Sequence, residues 1–184
     1  MTQLNSHQFE EVYKILGINL DTLGCIMLDI KPIEATFIDD NILYYAKDKK
    51  KFWINGYVFN KTAHLTLLYG LLESGLKQKK LIDVVLNGWR MDSIEVEAIS
   101  SFDSPYKDEP YYCIVAKVKT TDNLLEGHRR LEFLPHINTF TGYKPHLTLA
   151  YIKKDLRKRG EIIADFYSLL VAKKLEVKGI NYGK

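Results

Sequence analysis

Only two cysteines occur in the 184 residues, Cys25 in "LGCIMLDI" and Cys113 in "YYCIVAKV". They form no Cys-x-x-Cys pair and no metal-finger spacing, which excludes a disulfide framework and reads as two buried thiols in a reduced compartment. No His-x-x-His or Cys-His pair is present to nucleate a zinc site, so neither metal nor other cofactor is expected. No apolar run approaches the roughly 18 to 20 residues needed to span a bilayer, and the polar, amphipathic start "MTQLNSHQFEEVYKILG" lacks the apolar core of a signal peptide. A soluble, cytoplasmic protein without membrane contact is expected. A Rossmann glycine pattern is missing as well, and no linker divides the chain, so residues 1–184 are read as one domain. Nothing in the chain points to an obligate protein partner. Net charge is only +3, yet the cations cluster in "KDKKK" (47–51), "KQKK" (77–80) and "KKDLRKR" (153–159). Such runs are either solvated faces or an attraction for a phosphate-bearing ligand.

What is present is an alternation of strand and helix signals. Phe9, Val12, Tyr13 and Leu16 predict a helix over 7–16 that Gly17 can stop. Strands are expected at 23–30 and 63–69, with an extended segment at 41–46 and Pro32 in the loop between. One or two short helices follow Gly70. Period-2 alternation of Ile94, Val96 and Ala98 predicts a strand over 92–104, in a hairpin with a strand over 110–120. Asp122 is the expected cap of a helix carrying Leu124, Leu125, His128 and Leu131 and ended by Pro135. A strand at 146–152, a polar segment, a helix at 161–173 and a last strand "KLEVKGINY" complete the order. This is an α+β pattern of mostly antiparallel sheets with helices outside.

The tetrapeptide His-Leu-Thr-Leu is written twice, as His64-Leu65-Thr66-Leu67 and as His146-Leu147-Thr148-Leu149. In a strand, alternate side chains share a face, so each copy presents an imidazole and a hydroxyl on one side and two anchoring leucines on the other. One His-x-Thr could be accident. Two copies, each within a strand-like run and each followed by an apolar residue and a tyrosine (Tyr69, Tyr151), argue for a paired site. If a pseudo-twofold relates them, two imidazoles and two hydroxyls converge on one cleft. One neutral imidazole could then take a proton, the other, protonated, could give one, and the threonines could donate to the oxygens of a phosphodiester. Which histidine is acid and which is base is not decided by two near-identical motifs. His128 and His136 read as packed or turn residues, and His7 carries no signal.

On these motifs the chain resembles the 2H phosphoesterases. Across "LGCIMLDI", "AHLTLLYGLL", "YYCIVAKV" and "YKPHLTLAYIKK" it is similar to the phage anti-CBASS phosphodiesterases, enzymes that destroy the cyclic di- and trinucleotide signals of a bacterial defence. The resemblance implies a bilobal fold of two pseudo-symmetric sheets around a central groove, with His64, Thr66, His146 and Thr148 as the catalytic set. It implies a metal-independent cleavage of 3′–5′ linkages in a cyclic oligonucleotide. It also implies base-gripping aromatics and an acidic residue from the last strand, for which Trp89, Tyr44, Tyr45 and Glu176 are the candidates. Arg129, Arg130, Lys153 and Lys154 are candidates for steering phosphates. Hydrolysis of 2′,3′-cyclic phosphates at RNA ends, or sequestration of a cyclic nucleotide without turnover, are the alternatives.

Overall fold

The computed structural model describes residues 17–18, 22–38, 41–44, 63–104, 110–138 and 142–183. The expected helix over 7–16, Tyr45 and the "KDKKK" run lie outside them. Six strands are formed there: β1 (Gly24–Ile30), β2 (His64–Leu71), β3 (Ser93–Asp103), β4 (Tyr111–Val118), β5 (His146–Lys153) and β6 (Lys174–Tyr182). Three helices accompany them, α1 (Lys79–Val85), α2 (Asp122–Leu131) and α3 (Leu156–Leu170). Every neighbouring pair of strands is antiparallel, in the closed order β1-β2-β5-β4-β3-β6.

The ring divides into two three-stranded halves, β6-β1-β2 and β3-β4-β5. Within each half the ladders are long, whereas β2 meets β5 through a single registered pair, Leu65 with Leu147, and β3 meets β6 over Ser93 to Glu95. The fold is therefore α+β, as the strand pattern implied, and two-lobed, as the resemblance implied. One face of each lobe is held down by apolar residues at alternate positions: Ile26, Leu28 and Ile30 on β1, Ile114 and Ala116 on β4, and Leu65, Leu67, Leu147 and Leu149 on the two motif strands, all at 1% exposure or less. A fully buried leucine contributes about 1.5–3 kcal/mol, so the four motif leucines anchor their strands strongly. Helix α3 packs on β3 and β4 through Ile162 and Phe166, and α2 on β2 through Leu124 and Leu131.

Several boundaries differ from the sequence expectation. Residues 41–44 form a turn and one antiparallel bridge, Leu43 with Ile152, instead of a full strand. The cap of α2 is Thr121, whose extended backbone lets its hydroxyl accept from the Leu124 N–H at 3.2 Å, and Asp122 is the first helical residue. That helix ends at Leu131, before Pro135. α3 starts at Leu156, five residues before the expected start, because the Asp155 carboxylate accepts from the Lys158 N–H. Its first turns carry Arg157–Glu161 and Lys158–Glu161 pairs on a solvated face. Such a stretch has no apolar period to betray it. No described helix is long and apolar enough to cross a membrane.

Candidate active site

The strands β2 and β5 place the two tetrapeptides side by side. Leu65 and Leu147 are wholly buried, while His64, Thr66 and Thr148 are half-buried and His146 is exposed, so all four polar side chains lie on the face opposite the core. Leu65 pairs with Leu147, each the residue between histidine and threonine in its copy. A local twofold therefore runs through that pair, and the antiparallel register sets each histidine across from the other copy's threonine.

The register also explains the tyrosines. Ile26 pairs with Leu68 and Met27 with Thr66, so Leu67 and Leu68 share one partner position and both are buried. On β5, Ile114 pairs with Ala150 and Val115 with Thr148, so Leu149 and Ala150 do the same. Each is a β-bulge, which shifts the alternation by one residue. Tyr69 and Tyr151 are thereby returned to the face of His64, Thr66, His146 and Thr148. A cysteine stands opposite each: Cys25 pairs with Tyr69 and Cys113 with Tyr151. The thiols are thus half-buried on the motif face, not sealed in the core as the sequence suggested. Burial pushes both up, Cys113 to about 11 against opposing hydrogen bonds from Thr148 and Tyr151, so neither is a thiolate at neutral pH.

The twofold is broken where it matters electrostatically. Opposite His64 on β1 stands Asp29, whose Oδ1 accepts from Asn181 Nδ2 at 2.9 Å; opposite His146 on β4 stands the exposed Lys117. Burial holds the His64 imidazole below its ordinary pKa; Asp29 pushes it back up and a charge on His146 pushes it further down. His64 is thus biased toward the neutral form. His146 Nδ1–H donates to the Lys144 carbonyl at 2.9 Å, because a carbonyl can only accept, and Nε2 is left for chemistry. The half-exposed Phe102 of β3 meets the His146 ring edge-to-face at 6.1 Å.

At the bulge, side chains from outside the ladders hold the first motif strand. Tyr143 Oη–H donates to the Thr66 carbonyl at 3.0 Å and His128 Nδ1–H to the Leu67 carbonyl at 2.6 Å. The two rings stack 4.0 Å apart. His128 is therefore a packed histidine, as read from its helix face, and His136 likewise donates locally, to the Leu134 carbonyl. Next to this clamp Gly70 adopts φ +98°, and a Cβ there would lie 2.2 Å from the Ile137 carbonyl oxygen.

The other expected residues scatter. Trp89 is not a loop platform: it is 9% exposed, lies against Gly127 of α2, and its indole N–H donates to the Asn123 carbonyl at 2.8 Å. The ring fills core space, so it offers no face to a base. Tyr44 belongs to an aromatic row, tilted on Tyr111 at 5.4 Å, which in turn meets Tyr151 edge-on at 5.2 Å. Glu176 is exposed and paired with Lys31, just past the end of β1. Arg129 and Arg130 pair with Glu126 on α2, Lys153 reaches the Asn41 carbonyl, and Lys154 pairs with Asp103. Arg159 and Lys154 both lie over the Tyr112 ring, on the side of β4 that faces α3. The cation beside the motif is instead Lys117, which sequence patterning missed because it is a single lysine in a strand. Asp29, Phe102 and Asn181 were missed likewise, as single residues whose place beside the motif depends on contacts between strands. Among the described residues, no three His, Cys, Asp or Glu side chains are grouped to hold a metal ion.

Two antiparallel lobes meet along a pair of central strands, with helices outside, an arrangement consistent with the 2H phosphoesterase fold. Usb1 of Kluyveromyces marxianus, a protein of that family, shares it with a TM-score of 0.50 over 89% of this chain and 95% of its own, at 9% identity. The likeness is one of fold. No protein-family model matches the chain, and no curated protein sequence does.

Proposed function

We propose that the protein is a metal-independent phosphodiesterase that opens 3′–5′ linkages in cyclic di- and trinucleotides, and so acts in phage evasion of CBASS in the bacterial cytoplasm. The observation that carries the reading is the meeting of two His-x-Thr copies at Leu65 and Leu147, with both imidazoles on one face and within electrostatic reach of each other. In the reaction, a ribose 2′-hydroxyl attacks the adjacent phosphorus, which gains the advantage of an intramolecular nucleophile. His64, kept neutral by burial, takes the hydroxyl proton, and Asp29 stabilises the imidazolium that forms. His146, protonated and oriented through Nδ1, delivers its Nε2 proton to the departing 5′-oxygen. Thr66 and Thr148 donate to the non-bridging oxygens as charge builds. The product is a 2′,3′-cyclic phosphate and a free 5′-hydroxyl, after which the histidines have exchanged protonation states and water can hydrolyse the cyclic ester.

Incubation with a cyclic dinucleotide, a cyclic trinucleotide, their analogues with 2′-deoxyribose at the scissile position and a 2′,3′-cyclic mononucleotide, read by mass spectrometry, tests the reading. Cleavage of the ribose rings in the presence of EDTA, with the deoxy analogues bound but intact, is the expected result. Turnover of the 2′,3′-cyclic mononucleotide alone would transfer the protein to RNA-end processing, and binding without any turnover would make it a sequestering module. Loss of activity in EDTA, restored by a divalent metal, would overturn the mechanism.

A further inference from the structure

We propose that Phe102 is the stacking platform for the nucleobase of the leaving nucleoside; the assignment rests on the proposed cleavage and deepens it. Phe102 is 50% exposed, and among the described residues it is the only large apolar side chain so exposed on a strand. Leaving half of a phenylalanine in water forgoes burial that folding would otherwise use. Its place is determined by register. Phe102 pairs with Cys113, and Cys113 with Tyr151, so its side chain lies on the motif face of the β3-β4-β5 lobe, while α3 covers the other face.

Its ring stands edge-to-face to the His146 imidazole, at 81° and 6.1 Å between centroids. The two ring planes are nearly perpendicular, so the Phe102 ring stands beside the imidazole and is not stacked on it. His146 is the group that gives its proton to the departing 5′-oxygen, so the nucleoside carried by that oxygen lies on the Phe102 side. An aromatic face there matches the flat face of any base, and the adjacent Lys117 offers charge to a phosphate. Trp89, buried against α2, cannot serve this purpose.

The test compares the dinucleoside monophosphate ApA with its counterpart carrying an abasic ribose on the leaving side. Base–aromatic stacking is worth about 1–3 kcal/mol, which is about 5- to 150-fold. Phe102→Ala should lose that factor in kcat/KM on ApA, mainly through KM, leave the abasic substrate unchanged, and be rescued by Phe102→Trp. An equal loss on both substrates would mark Phe102 as a positioning residue for His146 and overturn the platform, as would no loss on ApA. Titration of the uncleavable 2′-deoxy forms of both ligands separates this proposal from the catalytic one. Base-bearing ligand bound more tightly than abasic by wild type but not by Phe102→Ala upholds the platform even if nothing is cleaved. Equal affinities for the two ligands in wild type overturn it whatever the turnover.

Discussion

Replacing Asp29 by Asn tests the electrostatic asymmetry of the candidate site with little change of shape. The Asn side chain keeps an Oδ1 that can accept from Asn181, so the link to β6 survives while the charge is lost. Asp29 is the group that raises the His64 pKa; burial and His146, which both lower it, remain in the variant. The pKa must therefore fall further. Side chains directly opposite across an antiparallel pair have their Cβ atoms about 5 Å apart. At that separation a unit charge is worth about 0.8 kcal/mol with the dielectric of water and about 3 kcal/mol at an effective value near 20. His64 is only half-buried, so a value near 1 kcal/mol applies, or about 0.7 of a pH unit. The acidic limb of the kcat/KM profile, where His64 must lose its proton, should move down by about half to one unit. On the plateau the rate should fall about three- to tenfold, because the imidazolium formed on His64 loses its counter-charge. Rates from pH 4 to 9 on a cyclic dinucleotide, with circular dichroism to verify folding, give the answer. A limb that stays in place or moves up would refute the assignment of His64 as base and Asp29 as its partner.

His64→Ala and His146→Ala should each lose about 10²–10⁴-fold in turnover while remaining folded, since each deletes one end of the proton transfer; Thr66→Val and Thr148→Val should lose less, and a folded histidine variant retaining a tenth of the wild-type rate would exclude the pair. Gly127→Ala should destabilise by about 1–3 kcal/mol in thermal or urea melts, because the added Cβ would lie 2.4 Å from the Trp89 ring, buried in the core. Because the folded-state pKa of His64 is depressed, the unfolded chain takes up this proton first as pH falls. Stability should therefore decline below about pH 6.5, until the folded-state pKa is passed, and His64→Ala should flatten that part of the curve.

Much of the fold was legible in the chain because burial on one side of an antiparallel sheet writes a period-2 pattern. β3 and β6 fall within segments read from that alternation, β1 and β4 within segments read as strands from their apolar runs, and β2 and β5 overrun their expected segments by two residues and by one. The elements that escaped are those whose residues obey another partner. The first turns of α3 are held by Asp155 and surface ion pairs and so show no apolar period. Residues 41–44 make one bridge with β5 and carry too short a pattern to distinguish turn from strand. Trp89 shows the same limit at the level of one side chain: "LNGWR" has the composition of an exposed loop, but Gly127, far along the chain, leaves a space that the indole fills.

The sequence by itself determined the chemical inventory of the candidate site: two imidazoles and two hydroxyls, each pair on one face of a strand, with leucines beneath. Local geometry suffices for this, since side-chain alternation depends on the backbone alone. Whether the two copies met, and what stood beside each, was decided by tertiary structure. Pairing of Leu65 with Leu147 joined them, bulges at Leu67 and Leu149 turned Tyr69 and Tyr151 onto their face, and register set Asp29 against His64, Lys117 against His146 and Phe102 beside it. Strand register is a property of two chain segments at once. No local pattern contains it, and so two identical tetrapeptides acquire different electrostatic environments only when the sheet closes.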